Sequence, residues 1–128
     1  MKSDEGSVSL AVLSLALVAM VLIASVGDLA IFLAARTKAQ TAADAAALAA
    51  AAELVPGIGR DPVGQAARYA ELNGSHLVSC SCEFGTDEAT VRVAVPVGFI
   101  LLAPLSRPVS AKARAKVDLP GSRGRGRS

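Results

Sequence analysis

Apolar and polar positions along this chain fall into three regimes. From Val8 to Val26, "VSLAVLSLALVAMVLIASV", nineteen consecutive residues carry no charge. At ~1.5 Å per helical residue, such a run matches the ~30 Å hydrocarbon thickness of a bilayer. A buried core helix of that length needs a large domain around it, which the rest of this 128-residue chain cannot supply. The run also exceeds the ~7–15 apolar residues of a cleavable signal. Apolar residues resume after Gly27-Asp28 as "LAIFLAA". The pattern predicts a polar N-terminus over 1–7 and a transmembrane helix over 8–27. Asp28 falls at the interface, where a carboxylate costs far less than the ~2.5–3.5 kcal/mol of the bilayer centre.

The second regime is alanine. "AQTAADAAALAAAA", residues 39–52, holds ten alanines in fourteen positions and one charge, Asp44. Alanine has the highest helix propensity, and between Val8 and Glu53 only Gly27 opposes a helix. One helix of about 45 residues, near 70 Å long, is expected, with 28–54 as a slender extension. Small side chains let other helices approach closely, as in membrane-protein packing. A solvated stalk would carry more Glu and Lys. Gln40 and Asp44 lie one turn apart on one face with Leu48 a turn further, a polar pair suited to fixing register. Asp28, Gln40, Asp44, Ala46 and Leu48 are the candidate helix-packing residues.

The third regime, 61–118, mixes periods. "ELVPGIGRDP" stops the helix with Pro56, Gly57 and Gly59. Asp61 then Pro62 reads as an N-cap and first-turn proline. Val63, Ala66, Ala67 and Ala70 keep a helical stripe, which Asn73-Gly74 closes. The period then becomes two. "LVSCSCEF" (77–84) puts Val78, Cys80, Cys82 and Phe84 on one face. "ATVRVAVPV" (89–97) alternates Val91, Val93, Val95 and Val97 against Thr90, Arg92 and Ala94. "VSAKARAKV" (109–117) alternates Val109, Ala111, Ala113, Ala115 and Val117 against Ser110, Lys112, Arg114 and Lys116. The first two runs form a hairpin across "GTDE" and the third adds a strand. The fold class is α+β: a long transmembrane helix with an Ala-rich extension, a short second helix, and a three-stranded antiparallel sheet. The short amphipathic helix is the expected cover of the sheet's apolar face. "GFILLAPL" is too short to span a membrane and reads as a buried or interfacial crossing. Residues 119–128 form a disordered, solvated basic tail.

Composition narrows the chemistry. The chain is 52% hydrophobic but 3% aromatic, so its apolar content is mostly aliphatic and concentrated toward the N-terminus. The net charge of +2 depends on Arg123, Arg125 and Arg127; without them ten basic residues face eleven acidic ones. No basic face built for nucleic acid follows from that balance. One histidine, His76, and two cysteines cannot supply four zinc ligands. Little material for catalysis is present; no cofactor, metal or small-molecule substrate is expected, and the chain does not read as an enzyme. Cys80 and Cys82 share a strand face with Cα atoms roughly 6.5–7 Å apart, at the edge of disulfide geometry. A strained bridge, two buried thiols and links between chains all remain open. Burial as small hydrophobes is favoured, while an extracellular setting favours a disulfide and makes the two a candidate redox pair.

The stretch "GDLAIFLAARTKAQTAADAAALAAA" resembles the N-terminal helix of TadE/TadG-like proteins of tight-adherence (Tad/Flp) pilus systems. In that pattern an aspartate near the membrane exit precedes a basic pair and a Q-x-A-A-D-A-A-A-L-A run. Here these are Asp28, Arg36, Lys38, and Gln40 to Ala49. "ARYAELNG" followed by valine-rich strands is similar to the downstream part, and the small size and C-x-C resemble an actinobacterial TadE-like branch found beside helicase and secretion genes. The resemblance implies a pilin-like minor pseudopilin or assembly subunit. Its anchor would lie N-in in the cell membrane, its sheet domain outside, and its long helix against other pilin-like or Tad-type envelope subunits. Prepilin-type processing would cut after Gly6, but the fifth residue beyond is Ala11 where that pattern has an acid. Flanking charge, Lys2 with the N-terminal amine against Arg36 and Lys38, leans away from N-in. The competing readings are a secreted small binding module freed from an N-terminal signal and, more weakly, an inward-facing regulator using the Arg tail.

Overall fold

The computed structural model describes residues 4–57, 59–98 and 107–118. The first helix, α1, runs Asp4–Glu53, 50 residues without a break at Gly27. It starts inside the segment expected as a polar N-terminus. Among the described residues nothing packs on its apolar part: none of its most apolar 18-residue window is buried. Ser14 and Ser25 turn their hydroxyls back to the Ala11 and Val21 carbonyls at 2.9 and 2.7 Å. That satisfies the groups lipid cannot solvate.

The outer part of α1 behaves differently. Ala39, Ala42, Ala43, Ala46, Ala47, Ala50 and Ala51 are at most 4% exposed. These positions recur every three or four residues, the spacing that aligns one helix face. That face lies on a sheet of β1 (His76–Ser81), β2 (Glu88–Val95) and β3 (Val109–Lys116), antiparallel in the order β1-β2-β3. The alanine run of α1 covers β2 and β3, whereas α2 (Pro62–Leu72) packs on α1 and β1. The expectation that the short helix covers the sheet is therefore corrected. Alanine gives the sheet its close approach, and the two bulkiest fully buried apolar side chains, Val91 and Val93, supply volume from below.

The reversal between the helices is tied by polar groups. Glu53 Oε2 accepts the Arg60 amide at 2.8 Å and the Asp61 amide at 3.4 Å. A Cβ on Gly59 would collide with the Glu53 backbone, so only glycine fits. Asp61 Oδ1 caps α2 by accepting from Gly64 N at 2.8 Å, and Pro62 opens the helix, as expected. At the far end Gly74 has φ +68°, and a Cβ there would come within 2.6 Å of the Lys38 ammonium. The α1–α2 hairpin thus returns the chain to the level of Lys38. Ser75 then turns it into β1, buried and donating from its hydroxyl to the Ala70 carbonyl at 2.9 Å.

The sheet inherits this polarity. His76 pairs with Ala94 and Ala94 with Ser110, so all three lie at the Lys38 end. The β1–β2 turn and the Glu88–Lys116 pair lie at the opposite end, the tip. In β2, Ala89, Val91, Val93 and Val95 face the core as the alternation predicts. The expected face of β1 does not hold. Leu77 pairs with Val93 and Ser79 with Arg92, leaving Val78 as an extra residue in a bulge. The bulge shifts the phase: Leu77 and Cys80 turn inward, while Val78 and Phe84 are 57% and 62% exposed. Most of "GFILLAPL" and all of 119–128 lie outside the described residues.

Because the alanine face is closed by the chain's own sheet, enlarging it should unfold the domain and leave the apolar segment alone. Ala46→Leu is expected to cost about 1–3 kcal/mol. Thermal unfolding of the detergent-solubilised chain would drop accordingly, with membrane extraction behaviour unchanged.

Candidate functional site

Of the proposed packing residues, the structure brings three together. Gln40, Asp44 and Leu48 line a face of α1 beside the alanine core, all exposed, with Leu48 at 65%. Gln40 Nε2 donates to Asp44 Oδ1 at 3.1 Å, the pairing expected from their spacing. Ala46 is inside the domain core. Asp28 lies twelve positions before Gln40, roughly 18 Å along the axis, half-buried and in an interaction of its own.

Two residues not singled out from the sequence extend this stripe. Thr37 and Thr41 donate their hydroxyls to the Leu33 and Thr37 carbonyls at 3.0 and 3.1 Å. Back-bonded in this way, each exposed threonine has its hydroxyl satisfied by the helix itself. Their spacing with Asp44 and Leu48 is the sequence signal for this stripe, and threonine's hydroxyl masks it because the residue reads as polar. Below them Leu29, Phe32 and Leu33 are 57%, 42% and 51% exposed. The small-sided stripe therefore continues the apolar surface of the membrane segment.

Beside Leu48 a shallow groove of about 220 Å³ runs between α1 and the outer edge of β3. Asp44, Ala47 and Leu48 form one wall, and Ala113 to Lys116 the other. It is smaller than the ~300–1,000 Å³ of typical small-molecule sites. Among the described residues no three His, Cys, Asp or Glu side chains gather as metal ligands.

Cys80 and Cys82 are joined as a disulfide with Cα atoms 5.4 Å apart. The favoured reading of two buried thiols is thereby corrected. A flat strand would hold these Cα atoms farther apart, but β1 ends at Ser81 and the chain leaves the ladder there, shortening the gap. Cys82 is buried under the core edge and Cys80 is half-buried.

These features define a class: a long apolar anchor helix whose free half serves as the spine of a small α+β domain. Residues 6–53 match the model of the Flp pilus-assembly TadE/G-like family. The match ends on the last residue of α1. The resemblance read from the sequence therefore stands over this helix, which is similar to the TadE/G-like family along residues 6–53. No curated protein and no solved structure matches it.

The bridge closes a ring so short that its effect on the unfolded chain is small. Cys82→Ser is expected to cost roughly 1–2 kcal/mol. Alkylation followed by intact-mass measurement should add no label before reduction and two after it.

Proposed function

We propose that the chain is a single-pass, pilin-like subunit of a Tad/Flp-type pilus or a related secretion apparatus, a minor pseudopilin in role. It acts by helix–helix packing, with its α+β domain on the extracytoplasmic side, and performs no catalysis. The observation that carries this reading is the division of α1. Its domain covers one face of the outer half, while its apolar half and the stripe through Thr37, Thr41, Asp44 and Leu48 stay open as one surface. Apolar turns beyond a membrane need neighbours, and a stripe of small residues with satisfied hydroxyls suits a second long helix. The Gln40–Asp44 pair would set the register of that contact. Removal of a signal near Gly27 would leave the alanine core untouched, so the mass of the mature N-terminus separates the anchored reading from a secreted module.

Disulfide crosslinking from Leu48→Cys should trap neighbouring envelope subunits in intact cells. Adding Asp44→Leu or Thr41→Arg is expected to reduce that yield several-fold without loss of membrane insertion. Unchanged crosslinking in both variants would remove the stripe from the interface. A C-terminal alkaline phosphatase fusion is expected to be active, and a silent one would place the domain on the cytoplasmic side.

A further inference from the structure

The fold sorts its charges along the axis of α1. Glu53, Asp61, Glu83, Asp87 and Glu88 all lie at the tip, on the α1–α2 and β1–β2 reversals. There Arg114 and Lys116 are matched, to Glu88 at 2.9 Å and to Asp87 at 3.2 Å. The end nearest the apolar segment is cationic instead. Arg36 and Lys38 leave the apolar run on α1, and Arg107 enters β3 there, all exposed. Arg92 and Lys112 face each other across β2 and β3, both exposed, and neither forms an ion pair with a described carboxylate. Like charges directly opposite on a sheet repel, so the domain holds an uncompensated pair that nothing in its own packing explains. Glu71 on the last turn of α2 stands one turn after Arg68, so that helix end adds one charge of each sign. The stretch from Phe99 to Ser106, which joins β2 to β3, contains no charged residue.

We propose that this cationic end, Arg36, Lys38, Arg92, Arg107 and Lys112, docks the domain on the anionic phospholipid headgroups of the membrane that α1 crosses. The proposal rests on the spanning reading of α1 and goes beyond it, because it assigns lipid contact to the folded domain as well as the helix. The occupant follows from charge and position. Arg92 and Lys112 stand three rungs, about 10 Å, from the end of the sheet. When the apolar turns from Leu29 to Ala35 sink into the bilayer, the headgroup layer reaches the level of Arg36. That distance is then comparable to the ~10 Å Debye length at 0.1 M salt. The acidic tip points away from the same layer, and the resulting charge axis favours one orientation over its inverse. Each cation near an anionic surface strengthens binding several-fold.

The test uses the full chain, with a fluorophore on Ser110→Cys, reconstituted into vesicles carrying a headgroup quencher; the native disulfide leaves no competing thiol. Quenching should be strong in phosphatidylcholine–phosphatidylglycerol vesicles, weak in phosphatidylcholine alone, and reversed by high salt. A label on Arg60→Cys at the tip should stay unquenched throughout. Because the domain moves only with α1, docking is a deeper or more inclined seating of the whole rod. Arg92→Gln, Arg107→Gln and Lys112→Gln combined should lower the ratio of that seating to the raised one by roughly a hundredfold. Equal quenching at Ser110 in neutral and anionic vesicles, or no response to the triple variant, overturns the docking. Flotation with carbonate washing reads insertion separately: a chain that fails to stay in vesicles overturns the spanning reading and the docking with it.

Discussion

The closeness with which the alanine face of α1 lies on β2 and β3 is the constraint that everything else in this chain obeys. Only side chains as small as Ala43, Ala46 and Ala50 let a helix backbone settle onto a sheet whose inward residues are mostly Val and Ala. Among the described residues the core holds no aromatic side chain, so apolar stabilisation there comes from many small contacts rather than a few large ones. A core built this way tolerates little change in volume. It also explains the ten alanines in fourteen positions: their inner face is the domain's own core, and their outer face remains slim.

Much of this was legible because each element announced itself by an independent signal. The continuous α1, the Asp61 cap with Pro62, and the alternation in β2 and β3 rest on propensity, capping and period, which agree locally. The errors arose where a tertiary choice overrode the period. The bulge at Val78 changed which β1 residues face inward, and no residue in "LVSCSC" marks it. Two helices with apolar stripes competed to cover the sheet, and the sequence contained no term for which one would win. The Cys80–Cys82 gap is shorter than a flat strand allows because the chain leaves the ladder after Ser81. Gln40 and Asp44 paired as their spacing said; Thr37 and Thr41 joined them only once their hydroxyls were seen bonded to the helix.

Function divides along the same line. The family match covers the helix and stops where the α+β domain begins its separate turns. Over this segment the helix is open all round in its apolar half and closed on one face by the sheet in its outer half. Serine and threonine hydroxyls folded back onto carbonyls serve both halves by the same device, hiding polar groups without removing them. Outside the matched segment the domain carries a short disulfide, an open edge on β3, and an axial separation of charge.

The absence of any joint between the two halves of α1 has a mechanical consequence. Gly27 sits in uninterrupted helix, and the domain is packed onto that same helix rather than hung from a linker. A change in tilt of about 10° within the bilayer would sweep the far end of α1, about 26 Å beyond Arg36, through roughly 4–5 Å. A rotation of the buried half would turn the whole head by the same angle. The chain is built as a rigid lever, so any force that leans it at one end is reported in full at the other.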